Sequence, residues 1–186
     1  LGANDGVTQS NSLYFELKRN WRGILVEPSP NNFLICKEQR STNNSIFCNA
    51  CVSFDYKEKY VDIVYADLMS ISKNLNTDLN DKTEHIKVGK EYLKKNEAIF
   101  EFGSIARPLN DLLIESNAPK LIDFLSLDVE GAELEVLKGI NFEQFKFKYM
   151  LIEARDFSRI EEFLSSHGYH LEEQFSGYDY LFKCSI

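Results

Sequence analysis

A chain of 186 residues, 44% apolar and 27% charged, fits one large domain whose core buries roughly 70% of the unfolded surface, and this composition, ordinary for a soluble globular protein, argues against disorder over most of the chain. Its formal net charge of −8 argues against a nucleic-acid partner, because a phosphate-backbone footprint needs clustered Lys and Arg. No apolar run approaches the ~20 residues that cross a bilayer and no signal-peptide pattern is visible, so a soluble, cytoplasmic protein is expected.

The chain opens on Leu1-Gly2-Ala3-Asn4-Asp5-Gly6. Glycine permits positive φ and close backbone approach, and Asn and Asp tolerate the same region. Ahead of a helix-patterned run, such a loop can cradle a ligand with its backbone N–H groups. With no strand ahead of the loop, the first strand of the fold is expected upstream of Leu1, with any targeting or anchoring segment. Leu13, Leu17 and Trp21, four residues apart within Val7 to Trp21, mark one helix face. Ile24 to Val26 is a short apolar strand that ends on Glu27-Pro28. A glycine loop followed roughly 20 residues later by such an acid is the arrangement that holds a nucleotide ribose. Ser29-Pro30 reads as an N-cap with proline at the first helical position. Ser45 to Ser53 is a third strand, and Phe54 to Leu68 alternates like a hairpin excursion.

Lys73 to Gly103 breaks the rhythm. This segment is rich in Asn, Lys, Asp and Glu, with one amphipathic helix expected around Glu84 to Asn96. A stretch this long between core elements is usually functional, so a lid or insertion over about 73–103 is expected. Regular alternation then resumes. Pro108 opens a helix, Ile122 to Leu127 is a strand, and Ala132 to Lys138 is a helix with Gly139 at C′. Tyr149 to Ile152 is a strand, and Ser158-x-x-Glu161 predicts a capping box on a helix that Gly168 stops. Tyr169 to Gln174 and Tyr178 to Cys184 pair around Ser176-Gly177. The sum is one α/β domain over residues 1–186, with a doubly wound, mostly parallel sheet and an antiparallel C-terminal hairpin.

In open α/β sheets ligands sit outside the carboxyl ends of the strands, which singles out the residues at those ends. Glu27 can accept hydrogen bonds from both hydroxyls of a ribose. Asn49, beside Ala50, can present an amide to an adenine edge. Asp128 and Glu130 end a central strand, where either can serve as general base or ligand a divalent metal, and Glu153 repeats the pattern one strand along. Acids are also favoured in the first turn of a helix, a purely structural reason for Glu130 and Glu133. Cys48-x-x-Cys51 falls inside a strand-like run, with no second pair nearby, so it reads as buried thiols rather than a zinc or redox site. The absence of G-x-G-x-x-G, of a P-loop and of a G-x-S-x-G elbow disfavours nicotinamide enzymes, P-loop enzymes and serine hydrolases.

These residues together resemble the FkbM-type methyltransferases, a branch of the S-adenosylmethionine-dependent class I methyltransferases. The carrying motifs are Gly2-Ala3-Asn4-Asp5-Gly6, Trp21-Arg22-Gly23-Ile24-Leu25-Val26-Glu27-Pro28, Leu109-Asn110-Asp111-Leu112-Leu113, and Leu125-Ser126-Leu127-Asp128-Val129-Glu130-Gly131-Ala132-Glu133. The likeness runs from the first residue to about Arg155. It implies a seven-strand methyltransferase (Rossmann-like) sheet and S-adenosyl-L-methionine held by the glycine loop and Glu27, with Pro28, Asn49, Ala50 and Asp128 beside it. It also implies methyl transfer to a hydroxyl, on a sugar, glycan or other small-molecule acceptor, with Asp128, Glu130 or Glu153 as the acid–base groups. Two departures stand out: the acid that normally precedes the glycine loop is missing, and Lys73 to Gly103 matches nothing in the family pattern. A degenerate fold retained for binding or scaffolding is the competing reading.

Overall fold

The computed structural model describes residues 1–78, 82–91, 93 and 98–185. In chain order these residues form α1 (Leu13–Arg19), β1 (Ile24–Val26), α2 (Pro30–Gln39), β2 (Ser45–Phe47), β3 (Ala50–Val52), β4 (Tyr60–Tyr65), β5 (Ile71–Ser72) and α3 (Lys82–Gly89). There follow β6 (Phe100–Pro108), α4 (Leu109–Glu115), β7 (Leu121–Leu127), α5 (Glu133–Leu137), β8 (Lys146–Glu153), α6 (Phe157–Ser166), β9 (Tyr169–Gln174) and β10 (Asp179–Cys184).

The strands do not form the expected single, mostly parallel seven-strand sheet. They form a parallel pair β1-β2, a four-stranded sheet ordered β7-β8-β10-β9, and a second four-stranded sheet ordered β3-β6-β4-β5. Among the described strands, pairing is parallel for β1/β2, β3/β6 and β7/β8 and antiparallel for the rest. The physical cause lies at Cys48-Asn49, where the expected third strand breaks. Ser45–Phe47 stays with β1, while Ala50–Val52 aligns with Ala106–Pro108 of β6. Asn49 fixes the break, since its buried side chain donates from Nδ2 to the Ile105 carbonyl at 3.1 Å. Between β1 and β7 the first residues act as the link: Leu1 N donates to Ser126 O at 2.7 Å and Ala3 N to Val26 O at 3.1 Å. A slot of about 350 Å³, walled by Trp21, Ile24, Phe124, Leu125 and Phe147, lies beside this link.

The C-terminal hairpin is antiparallel, with β10 lying between β8 and β9. The main core gathers beneath it from Leu127, Leu137, Phe147, Met150, Ile152, Leu164 and Phe182, all essentially inaccessible. Gly139 joins this core to the second sheet. A Cβ there would collide with the Val52 carbonyl oxygen, so close approach of α5 to β3, rather than a left-handed C-cap, is what requires glycine.

Four local expectations change. Gly6 does not lead straight into a helix, because turns occupy residues 7–12 and α1 starts at Leu13. No residue of α1 is buried, and Leu17 is 67% and Trp21 39% exposed; Trp21 instead stacks on Phe15. The cap of α6 is Asp156, which accepts from Arg159 N, and not Ser158. Within the expected insertion, a helix is found over Lys82–Gly89, Asn96 lies outside the described residues, and Phe100 to Gly103 belongs to β6. No described helix is long and apolar enough to cross a membrane.

Candidate active site

A cleft of about 330 Å³ opens where the glycine loop, β1, β3 and the ends of β7 and β8 meet, a size within the usual range for small-ligand sites. Its floor is set by Gly2 (φ +72), whose Cα faces the Asp128 carbonyl oxygen so closely that any Cβ would clash. Glu27 sits at the end of β1, 6% exposed. Its Oε2 accepts from Asn4 N at 2.8 Å and its Oε1 from Ser29 N at 2.9 Å. Burial pushes its carboxyl up to about 7, against the pull of those two amides. Asn4, itself at φ 47, is held on its other side by Asn32 Nδ2 at 2.8 Å.

The loop works differently from a row of donors. Ala3 N is bonded to Val26, Asn4 N to Glu27, and Gly6 N to Ala3. Asp5 turns inward on the chain, accepting from Val7 N and Thr8 N. Gly6 (φ +83) packs against Arg40 and Cys36, and Arg40 Nη1 donates to its carbonyl at 3.0 Å. Ala3, Asp5 and Gly6 therefore shape the loop from behind, while Gly2 and Asn4 line the cleft.

The opposite wall is acidic. Asp128 is exposed at the end of β7. Glu130 adopts φ 56 and Gly131 φ 94, which turns the chain so that Glu130 meets Arg155 Nη2 at 3.0 Å. Glu153, ending β8, lies 3.6 Å from the same guanidinium nitrogen. Burial and the Asp128 charge push the Glu130 carboxyl up to about 7, with Arg155 opposing. Glu153 is raised by burial and by the charges of Asp128 and Glu130. Glu133, 3% exposed, accepts at Oε1 from Val129 N at 2.9 Å and Gly131 N at 3.2 Å; burial raises it to about 7 despite those bonds. Asp128, Glu133 and Glu153 each bring one carboxylate oxygen within 4.8 Å of the others. Glu133 Oε1 is bonded to two amides, which leaves its Oε2 as the oxygen that could face a cation beside Asp128 and Glu153.

The segment expected to be a lid reaches this wall. Asp78 Oδ2 accepts from Arg155 N at 3.0 Å and Asp156 N at 2.9 Å, while Asp78 N donates to the Gly131 carbonyl at 2.9 Å. His85, from α3, places Nε2 2.9 Å from Glu130 Oε2, out of line for a hydrogen bond. The carboxylate should favour a charged imidazole, yet burial and the Arg155 charge prevail and lower its pKa.

Of the residues singled out in the sequence, Gly2, Asn4, Glu27, Pro28, Asn49, Ala50, Asp128, Glu130 and Glu153 line one cleft. Ala3, Asp5 and Gly6 do not. Asn49 lines it with its amide nitrogen already bonded to Ile105. Sequence reasoning missed Asn32, Arg40, Asp78, His85 and Arg155, and assigned Glu133 no role in the site. Cys36, Cys51 and Cys184 are buried, Cys48 is partly so, and all four are free thiols.

The comparisons add one match. A family model described as the Methyltransferase FkbM domain matches residues 1–171. Neither the search of curated proteins nor that of solved structures gives a match.

Proposed function

The chain belongs to the FkbM methyltransferase family, and on that premise we propose that it transfers a methyl group from S-adenosylmethionine to a hydroxyl oxygen of a sugar or another small-molecule acceptor. The observation that carries this reading is the convergence on one cleft of a buried acid, Glu27, a glycine that admits close approach, Gly2, and the acids Asp128, Glu130 and Glu153. These residues fit a nucleoside on one side and a hydroxyl acceptor on the other.

When bound, S-adenosylmethionine supplies the activated methyl group on its sulfonium. On the chain's side, Glu27 keeps lone pairs for ribose hydroxyls beyond the bonds from Asn4 and Ser29, since an ionised carboxylate offers about four acceptor sites. A hydrogen bond to a charged group contributes roughly 1.5–3 kcal/mol. The pair Asn4–Asn32 holds the loop against Glu27, and Ala50, Ile63 and Val136 give the cleft apolar walls. Gly2 lets the loop press on Asp128, which brings the nucleoside side and the acidic side within one cavity.

Asp128, exposed on the cleft, orients the acceptor hydroxyl or takes its proton, and Glu130 is the second candidate. Arg155 fixes Glu130 by its 3.0 Å bond. Orientation of two reactants can supply roughly 7–11 kcal/mol, whereas a general base contributes 10²–10⁴-fold, about 3–5 kcal/mol. Positioning therefore dominates. A crystal structure with S-adenosylhomocysteine tests the reading: the ribose hydroxyls should lie on Glu27, and a nucleoside placed elsewhere would overturn it.

A further inference from the structure

Among the described residues, the loop amides of the acidic wall that would receive an anion are taken by the chain's own carboxylates. Two loops face the acceptor side, the one after β7 (Asp128 to Gly131) and the one after β8 (Glu153 to Asp156). In the first, successive positive-φ residues, Glu130 and Gly131, give the concave backbone that elsewhere binds phosphate. Here the buried Glu133 carboxylate takes the Val129 and Gly131 amides. In the second, the amides of Arg155 and Asp156 at the start of α6 would attract an anion, yet Asp78 Oδ2 takes both.

Side-chain charge points the same way. Among the described residues lining the cleft, Arg155 is the single cationic side chain. Its Nη2 is bonded to Glu130 and lies 3.6 Å from Glu153, and its guanidinium rests over the Tyr178 ring at 5.2 Å. Its Nε is buried, so a phosphate or carboxylate approaching Nη2 would have to displace Glu130 and then face Asp128, Glu130 and Glu153 together. On the nucleoside side, Asn4 N is likewise taken by Glu27.

We infer that the acceptor is a polyhydroxyl compound that is neutral or carries an amine, and that phosphorylated, sulfated and carboxylated acceptors are rejected by the Glu133- and Asp78-filled amides and the paired Arg155. Hydroxyls suit this wall because each can both donate to a carboxylate and accept from a neighbouring donor, and an ammonium group adds attraction to the surplus of acids. The inference rests on the methyl-transfer reading above and narrows its substrate.

The test uses the whole protein and radiolabelled S-adenosylmethionine against three matched sets: neutral methyl glycosides, aminoglycosides with aminocyclitols, and glycuronides with sugar phosphates. Turnover is expected only in the first two sets, with the best member at least tenfold above any anionic one in kcat/KM. A best acceptor in the anionic set, or no turnover in either of the other two, overturns the inference. A second measurement needs no acceptor. Inorganic phosphate titrated into the S-adenosylhomocysteine complex should leave the Arg155 guanidinium ¹⁵N resonance in place, and a saturable shift there contradicts the proposal. Calorimetry with S-adenosylhomocysteine separates the two layers: absent binding brings down the methyl-transfer reading itself, whereas intact binding with anionic preference brings down only the acceptor class.

Discussion

Gly2 and Asp128 are 126 positions apart in a 186-residue chain, yet the Gly2 Cα lies so close to the Asp128 carbonyl oxygen that no other residue fits there. Two effects act together at this contact, φ +72 and the collision of a Cβ with backbone. A Gly2→Ala substitution must move the loop away from β7, opening the joint between nucleoside side and acid wall. Backbone strain of this kind costs about 1–3 kcal/mol, so S-adenosylhomocysteine affinity should fall by roughly 5- to 150-fold in calorimetry, with a lower melting temperature. Unchanged affinity would mean that the loop does not form the cofactor side.

Glu27 should leave a signature in the pH dependence of stability. Its carboxyl is pushed up from an ordinary 4.5 to about 7 by burial. Between these values the unfolded chain releases the proton while the folded one keeps it, so stability falls as pH rises through that window. The full cost, roughly 3 kcal/mol at 1.36 kcal/mol per unit, is reached above the folded pKa. A Glu27→Gln protein lacks this term, so it should gain roughly that amount relative to wild type between about pH 4 and pH 8. Urea unfolding of both proteins at the two pH values measures it, and a difference independent of pH would contradict the burial argument.

The acid wall predicts an asymmetry between chemistry and binding. Asp128→Asn and Glu130→Gln should each leave detectable turnover, lowered by up to 10²–10⁴-fold, while S-adenosylhomocysteine binding stays within a few-fold of wild type. Single-turnover rates and calorimetry on the same preparations separate the two. Full turnover in both variants would remove these residues from proton transfer.

Gly139 offers a structural control away from the acid wall. Its carbonyl accepts from Asn110 N at 3.0 Å, and a Cβ would strike Val52 O in β3. Gly139→Ala should lower stability by about 1–3 kcal/mol, the usual cost of overpacking a fitted contact. Equal melting temperatures for variant and wild type would show that α5 and β3 can separate freely.

What the sequence revealed of the site was its local part. The glycine loop and Glu27 could be read because one βα step fixes their spacing, and Asp128-x-Glu130 because an apolar run ends on it. Ser29 and Pro30 do flank the start of α2, although the Ser29 hydroxyl makes no capping bond. Contacts made over long separations were not legible. Nothing near Asp78 announces that its carboxylate will meet the amides of Arg155 and Asp156, and nothing near Arg40 announces its bond to Gly6. The division of the third strand at Cys48-Asn49 escaped for a related reason: an apolar run predicts a strand but not which of two sheets each half joins. Leu17 and Trp21 show the opposite error, where helical spacing suggested a buried face that the tertiary structure leaves exposed.

The central claim is that Glu27 and the glycine loop hold the adenosyl portion of the methyl donor. Calorimetric titration of S-adenosylhomocysteine into wild-type and Glu27→Ala protein tests it most directly. The account predicts one site per chain in the wild type and a loss of at least tenfold in affinity in the variant. Equal affinity in the two proteins, or no binding to either, would contradict it.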